Sequence, residues 1–257
     1  MIDVHCHLTD PRLQGLGIQR IVEDARRAGV TAIITNGTSL EDSLKAIQLA
    51  EKYPEVWATV GIHPEEIFNF QFSIFNELSK LVKHKKVVGI GEIGLDYRQG
   101  ITDEEKEKQR ELFKMQLELA TEAELPAVVH NRNADEDIYS ILKAVNSRTK
   151  GILMHCFTRN LEFMDRMSNL GAYLSFGGMI TYKNNSRMRN AAKLVPENKL
   201  LLETDSPYSL PDGEKGNVNT PLNVKIVAER IAQIKGVSVR EIEDQTSENA
   251  KKLFKLI

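Results

Sequence analysis

The chain has 257 residues, a net charge of −2, 41% hydrophobic and 27% charged residues, a length and balance that fit one large α/β domain or two small ones with a sizeable core. That charge excludes a global basic field for nucleic acid, so any such contact must be local; the two cysteines, Cys6 and Cys156, do not suggest a disulfide scaffold and fit a reducing compartment. No uncharged apolar run approaches the roughly 18–20 residues of a membrane span, and a strand predicted from Ile2 leaves no room for a signal peptide. The expectation is a cytoplasmic protein with no membrane contact and no obligate protein partner.

The first β run, Ile2–His5, leads into His5-Cys-His7. Alternate side chains of a strand share a face, so both imidazoles point one way and Cys6 the other. Strand-like runs follow at Thr31–Thr35, Val56–Gly61, Val87–Ile90, Ala127–His130, Gly151–His155, Ala172–Phe176 and Leu200–Glu203. Amphipathic stretches lie between them at Gln19–Arg27, Leu40–Lys52, Glu104–Ala123, Ala134–Val145 and Leu161–Leu170. In Glu104–Ala123, Leu112, Met115, Gln116 and Leu119 form one helical stripe, with Thr102 or Asp103 as N-cap. Ser238–Leu256 reads as closing helix, keeping Ala250, Leu253 and Phe254 together. Eight β segments, each followed by helix or long loop, predict a single (β/α)8 TIM barrel over residues 1–257 with closing C-terminal helices. A doubly wound sheet would need a Gly-rich phosphate turn after the first strand, where Cys6-His-Leu-Thr-Asp10 stands instead.

Chemistry in such a barrel sits at the C-terminal ends of the strands. His5 and His7 end the first, His63 the third, Glu92 the fourth, His130 the fifth and His155 the sixth, and Glu203-Thr-Asp205 ends the eighth. Of six histidines only His84 falls elsewhere, in a Lys-rich stretch. Singly, each residue has a structural explanation: His63 as a turn cap, Glu92 in a tight loop, His130 and His155 as core histidines, Asp205 as a cap. Jointly, four histidines and two carboxylates in one mouth would repel and desolvate one another without a cation. Six ligands exceed what one ion needs if water is also to bind. Two divalent cations about 3.5–4 Å apart fit better, with Glu92 bridging, His5, His7 and Asp205 on the first ion, and His130 with His155 on the second. A two-His-one-carboxylate oxygenase centre would leave two of these histidines unexplained. Cys6 and Cys156 read as small apolar residues facing the helix layer. Asp3 shares a face with His5 and either supports the site or makes a structural contact.

The ordered motifs His5-Cys-His7, Gly61-Ile-His-Pro64, Gly91-Glu-Ile-Gly-Leu-Asp-Tyr97, Pro126-Ala-Val-Val-His130, His155-Cys-Phe157, Glu203-Thr-Asp-Ser-Pro207 and Gly216-Asn-Val-Asn-Thr-Pro221 resemble those of the TatD family of metal-dependent deoxyribonucleases, within the amidohydrolase-like barrels, essentially end to end. The resemblance implies a barrel, a dinuclear site for Mg²⁺, Mn²⁺ or Zn²⁺, and hydrolysis of phosphodiesters in nucleic acid. It supports His5, His7, Glu92, His130, His155 and Asp205 as metal ligands. Related branches bridge their metals with a carbamylated lysine; the strand-4 end here offers Glu92 and no lysine. Three departures bear on substrate preference: Leu8-Thr9 before Asp10, Asn131-Arg-Asn133 where Ser-Arg-Asp is usual, and Arg159-Asn160 where Gly-Ser is common.

The expected mechanism is hydrolysis by a metal-activated water, with Glu92 and Asp205 catalytic and Asp205 passing the water's proton to the leaving oxygen. Substrate contacts fall to His63, Arg132 and Glu203, within a rim of Arg98, Arg132, Arg159, Lys183 and Arg187. The expected activity is that of a nuclease on DNA, with RNA a further candidate, acting on single-stranded ends. The alternative is an amide or ester hydrolase such as a D-aminoacyl-tRNA deacylase; a metal-binding interaction protein is disfavoured by the intact ligand set.

Overall fold

Eight parallel strands form one sheet in sequence order among the described residues of the computed structural model, which are 1–68, 72–145 and 148–256. They are β1 (Ile2–Cys6), β2 (Ala32–Asn36), β3 (Val56–Val60), β4 (Val87–Asp96), β5 (Ala127–Arg132), β6 (Ile152–Met154), β7 (Tyr173–Phe176) and β8 (Leu200–Leu202). The helices are α1 (Pro11–Leu16), α2 (Ile18–Arg27), α3 (Leu40–Lys52), α4 (Phe72–Leu81), α5 (Asp103–Glu122), α6 (Asp135–Val145), α7 (Leu161–Asn169), α8 (Ser186–Leu194), α9 (Val224–Lys235) and α10 (Val239–Phe254). The expected (β/α)8 barrel is the fold. No helix among the described residues is long and apolar enough to cross a membrane.

Closure comes just beyond the end of β8. Ser206 bridges to Cys6 in parallel, Asp205 N–H donates to His5 O at 2.9 Å, and His7 N–H to Ser206 O at 2.7 Å. Asp3 clips the same seam, accepting from Thr204 N at 2.9 Å and Oγ1 at 2.6 Å. Its role is therefore structural, and burial pushes its carboxyl up to about 7.

Early strand residues Ile2, Val4, Ala32, Ile34, Val88, Val128, Leu153, Tyr173 and Leu201 pack with Ala250, Leu253 and Phe254 of α10. The amphipathic C-terminal helix thus stoppers the N-terminal end of the barrel with apolar side chains. The predicted stripe is the face it buries, and a capping box of Ser238 and Glu241 starts it. Polar groups are left to the opposite end.

Two strands depart from simple expectation. In β1 the register slips between Asp3 and Cys6, so Val4 stays with the interior apolar cluster while His5 and His7 still reach the mouth. The fourth strand runs on to Asp96, beyond the predicted Ile90. Its glycines, which read as a turn, serve close strand contact instead. A Cβ on Gly91 would stand 2.6 Å from Val128 Cβ, and one on Gly94, at φ 141, would stand 2.1 Å from His130 O. Glu92 therefore lies within a strand, not in a loop after one.

Candidate metal centre

Glu92 stands at the middle of the barrel mouth, 3% exposed, and its two oxygens face different histidines. Oε2 lies 3.3 Å from His5 Nε2 and 3.5 Å from His7 Nε2. Oε1 lies 2.8 Å from His130 Nδ1 and 2.9 Å from His155 Nε2. Asp205, turned inward at φ 55, brings Oδ1 within 3.6 Å of His7 Nε2 and 3.9 Å of His5 Nε2. The structure brings all six expected residues into one cluster, but not in two separate groups: His155 also stands with His5 and Asp205.

The far nitrogens show which imidazoles present a lone pair. His7 Nδ1 is 3.3 Å from Asn36 O, an acceptor, so this nitrogen carries a proton and Nε2 is the one free to bind a cation. His130 Nε2 is 3.0 Å from Asp96 Oδ2, which directs the lone pair of Nδ1 toward Glu92. His63 is the reverse: its Nδ1 accepts from Glu65 N at 3.2 Å, leaving Nε2–H aimed at Glu92 Oε1, 3.4 Å away. Although it lies close enough to Glu92 and His130 to share an ion with them, His63 is arranged as a donor toward Glu92.

The donor set fits divalent cations. Ring nitrogens meet in pairs at 3.2 Å (His5 and His7) and 3.3 Å (His130 and His155), each pair against one oxygen of Glu92. Ring nitrogens this close must share a proton or a cation between them, and imidazole with carboxylate suits a divalent ion. The protonation balance says the same. Burial alone would lower His7 and His130, yet the nearby carboxylates, Asp205 for His7 and Asp96 with Glu92 for His130, raise both to about 9. Burial and the charge of His155 push His5 down to about 3. Burial opposes ionisation of Glu92 and Asp205, but the surrounding imidazoles outweigh it and hold both below the usual carboxylate range.

Three further side chains position the cluster and escaped the sequence reading. Asp96, 2% exposed, holds His130; lying four residues from Glu92 on β4, it shares that face, and strand parity would have found it had β4 been read to its full length. Gln109 and Gln116, both buried, clamp backbone at two strand ends from α5. Gln109 bonds Asp96 N at 2.8 Å and Asp96 O at 3.1 Å, and Gln116 bonds Ile62 N at 2.7 Å and Ile62 O at 3.0 Å, next to His63. A glutamine repeated after seven residues on an apolar stripe was the available signal.

The mouth opens into a cavity of about 980 Å³ lined by His7, His63, Glu92, Asp96, His130, Arg132, His155, Arg159 and Asp205 among others. Arg132 reaches it with its side chain 59% exposed and Asp96 Oδ2, at 3.7 Å, as an ion-pair partner. Arg159 also lines it but is committed to Asp135 and Asn131 O. The expected rim needs correction elsewhere: Lys183 and Arg187 are not among the lining residues, and Arg98 pairs with Glu65 beside a smaller recess of about 160 Å³. Glu203 is also corrected. It is 0% exposed, hydrogen-bonded by Ser175 Oγ and 3.9 Å from His155 Nδ1, so it lies behind a histidine and cannot touch substrate. Burial, then the charge of Asp205, pushes its carboxyl well up. Cys156 does not face the helix layer. Strand β6 ends at Met154, and a left-handed turn at Cys156, φ 47, puts it on the cavity wall.

A parallel barrel whose C-terminal mouth gathers imidazoles and carboxylates is the architecture of the metal-dependent hydrolases. The family model described as TatD related DNase matches residues 2–255. The chain belongs to the TatD family. It is 36% identical over 256 residues to the uncharacterized metal-dependent hydrolase YabD of Bacillus subtilis, covering 100% of this chain and 99% of that one. To a protein of Edwardsiella piscicida named 3'-5' ssDNA/RNA exonuclease TatD it is 32% identical over 262 residues, covering 100% of each. Among solved structures, the TatD homolog YjjV of Escherichia coli matches with a TM-score of 0.92 at 31% identity, over 100% of this chain and 98% of that one.

Proposed function

We propose that this metal-dependent hydrolase is a nuclease that removes nucleotides from single-stranded ends of DNA, and of RNA, with two divalent ions at its centre. The observation that carries the reading is the two-sided environment of Glu92 beneath a mouth that presents Arg132 and His63 Nε2–H. Such a site pairs two cation positions with donors suited to phosphoryl oxygens. The polarity in the name of the Edwardsiella relative, 3′ to 5′, is the expectation for this chain.

His5, His7 and Asp205 would hold one ion, His130 and His155 the other, with Glu92 shared. Bound there, the ions supply Lewis acidity toward water and the phosphoryl oxygens. Arg132 forks onto two phosphate oxygens. His63 donates from Nε2 to the oxygen on which charge develops. Asp205, kept ionised by its imidazole neighbours, takes the proton of the attacking water and returns it to the leaving oxygen. A cavity of about 980 Å³ has space for a strand end of a nucleotide or two.

The test compares linear and circular single strands, 5′- and 3′-labelled DNA and RNA, and aminoacyl-tRNA, each with Mg²⁺, Mn²⁺ and Zn²⁺. Linear strands should shorten from the 3′ end, circles should resist, and chelation should abolish both metal content and turnover. Efficient cutting of the circle overturns the end-directed reading, and release of amino acid alone replaces the nuclease with the deacylase.

A further inference from the structure

Histidines apart, the described residues that line the cavity include one aromatic side chain, Tyr208. It follows Asp205 by three residues, and its N–H donates to Asp205 O at 2.8 Å, so a tight turn returns it to the mouth. Its ring lies 5.9 Å from that of His7, centroid to centroid, at 79°. From α1, the Arg12 guanidinium carbon stands 4.4 Å from the ring centroid. Arg12 is not available to a phosphate: Asp10 grips it through Nε at 2.9 Å and Nη2 at 2.8 Å. Its place over the ring is that of a fixed support.

Tyr208 is nonetheless 48% exposed. A large apolar surface left open beside a charged centre gains free energy when a flat apolar group covers it. Whatever stacks there lies beside His7, within the reach of one nucleoside from the hydrolytic centre. Arg132 supplies charge at the same cavity from the end of β5, a different part of the chain from the turn that carries Tyr208. The mouth therefore separates a place for a base from a place for a phosphate.

Resting on the nuclease reading above, we propose that Tyr208, braced by Arg12, is the stacking platform for the nucleobase at the strand end. A single aromatic surface grips one base next to the scissile bond and leaves the sequence unread, because every base has a π face. Tyr208 is thus a specificity residue that selects nucleobase-bearing ends over bare sugar-phosphate.

The experiment uses the metal-loaded full chain and two variants, Tyr208→Ala and Tyr208→Phe. Substrates are linear single strands ending either in normal nucleotides or in two abasic residues. Wild type should lose about five- to a hundred-fold in kcat/KM on the abasic end, mostly through KM. Tyr208→Ala should treat both ends alike at the lower rate, Tyr208→Phe should keep the discrimination, and metal content should be unchanged in all three. A Tyr208→Ala enzyme that still discriminates as wild type does, or a Tyr208→Phe enzyme that does not, overturns the platform. Binding of a strand ending in 2-aminopurine separates this from the nuclease reading. Stacking quench in wild type that vanishes in Tyr208→Ala supports the platform even if no strand is hydrolysed. Equal quench in the two proteins, or none in wild type, refutes it whatever the turnover.

Discussion

Replacing Arg132 by alanine isolates the phosphate grip from the metal centre. In the free protein the guanidinium is 3.7 Å from Asp96 Oδ2 and 59% exposed, too far for a good hydrogen bond and largely screened. Giving up that pair costs no more than about 1 kcal/mol. A forked, charge-assisted contact to phosphate contributes about 1.5–3 kcal/mol. The net loss in Arg132→Ala is then about 0.5–3 kcal/mol in transition-state binding, about two- to a hundred-and-sixty-fold in kcat/KM. Arg132→Lys keeps the charge but not the fork and should fall between. The assay is steady-state hydrolysis of an end-labelled single strand, with metal content by elemental analysis on the same samples. The difference between wild type and variant should narrow as salt is raised, because an exposed contact is screened. A kcat/KM within about two-fold of wild type removes Arg132 from the grip, and a loss accompanied by missing metal removes the reasoning that separated rim from centre.

Glu92→Gln keeps the shape of the shared carboxylate and removes its charge; metal should fall at both positions with turnover at background, and two retained ions with normal turnover would show that Glu92 bridges nothing. His5→Ala should deplete mainly one ion and His130→Ala mainly the other, read as stoichiometry against chelator concentration. Asp96→Asn should loosen the ion beside His130 about 10–100-fold in chelator competition, and unchanged competition would mean that Asp96 does not orient that ring. Phe254→Ala empties part of the stopper beneath the barrel, a loss of about 3–5 kcal/mol that lowers Tm by about 6–20 °C; an unshifted melt would mean that α10 does not hold the barrel closed.

Much of this molecule is legible in one dimension. Strand parity aims His5 and His7 together, and helix periodicity in Ser238–Leu256 marks the face of α10 that seals the barrel. The barrel rule, that strand ends converge, gathers His63, Glu92, His130, His155 and Asp205 from distant positions. What failed did so where local chemistry and tertiary packing disagree. Gly91 and Gly94 carry a turn signature, but in β4 they let neighbouring backbones approach, so the strand runs on and brings Asp96 under His130. Glu203 stands two residues before an expected ligand and Cys156 directly after one, and closeness in sequence says nothing of depth. Glu203 ends up behind His155, and Cys156, turned by a left-handed residue, ends up on the cavity wall. The rim shows the same limit: five cations were expected on one face, yet ion pairs with Glu65 and Asp135 occupy Arg98 and Arg159, leaving Arg132 the more available. Periodicity determines which way a side chain points from its own backbone. Which neighbour it meets, and whether that neighbour neutralises its charge or sets its proton, is decided only when strands far apart in sequence are brought to hydrogen-bonding distance.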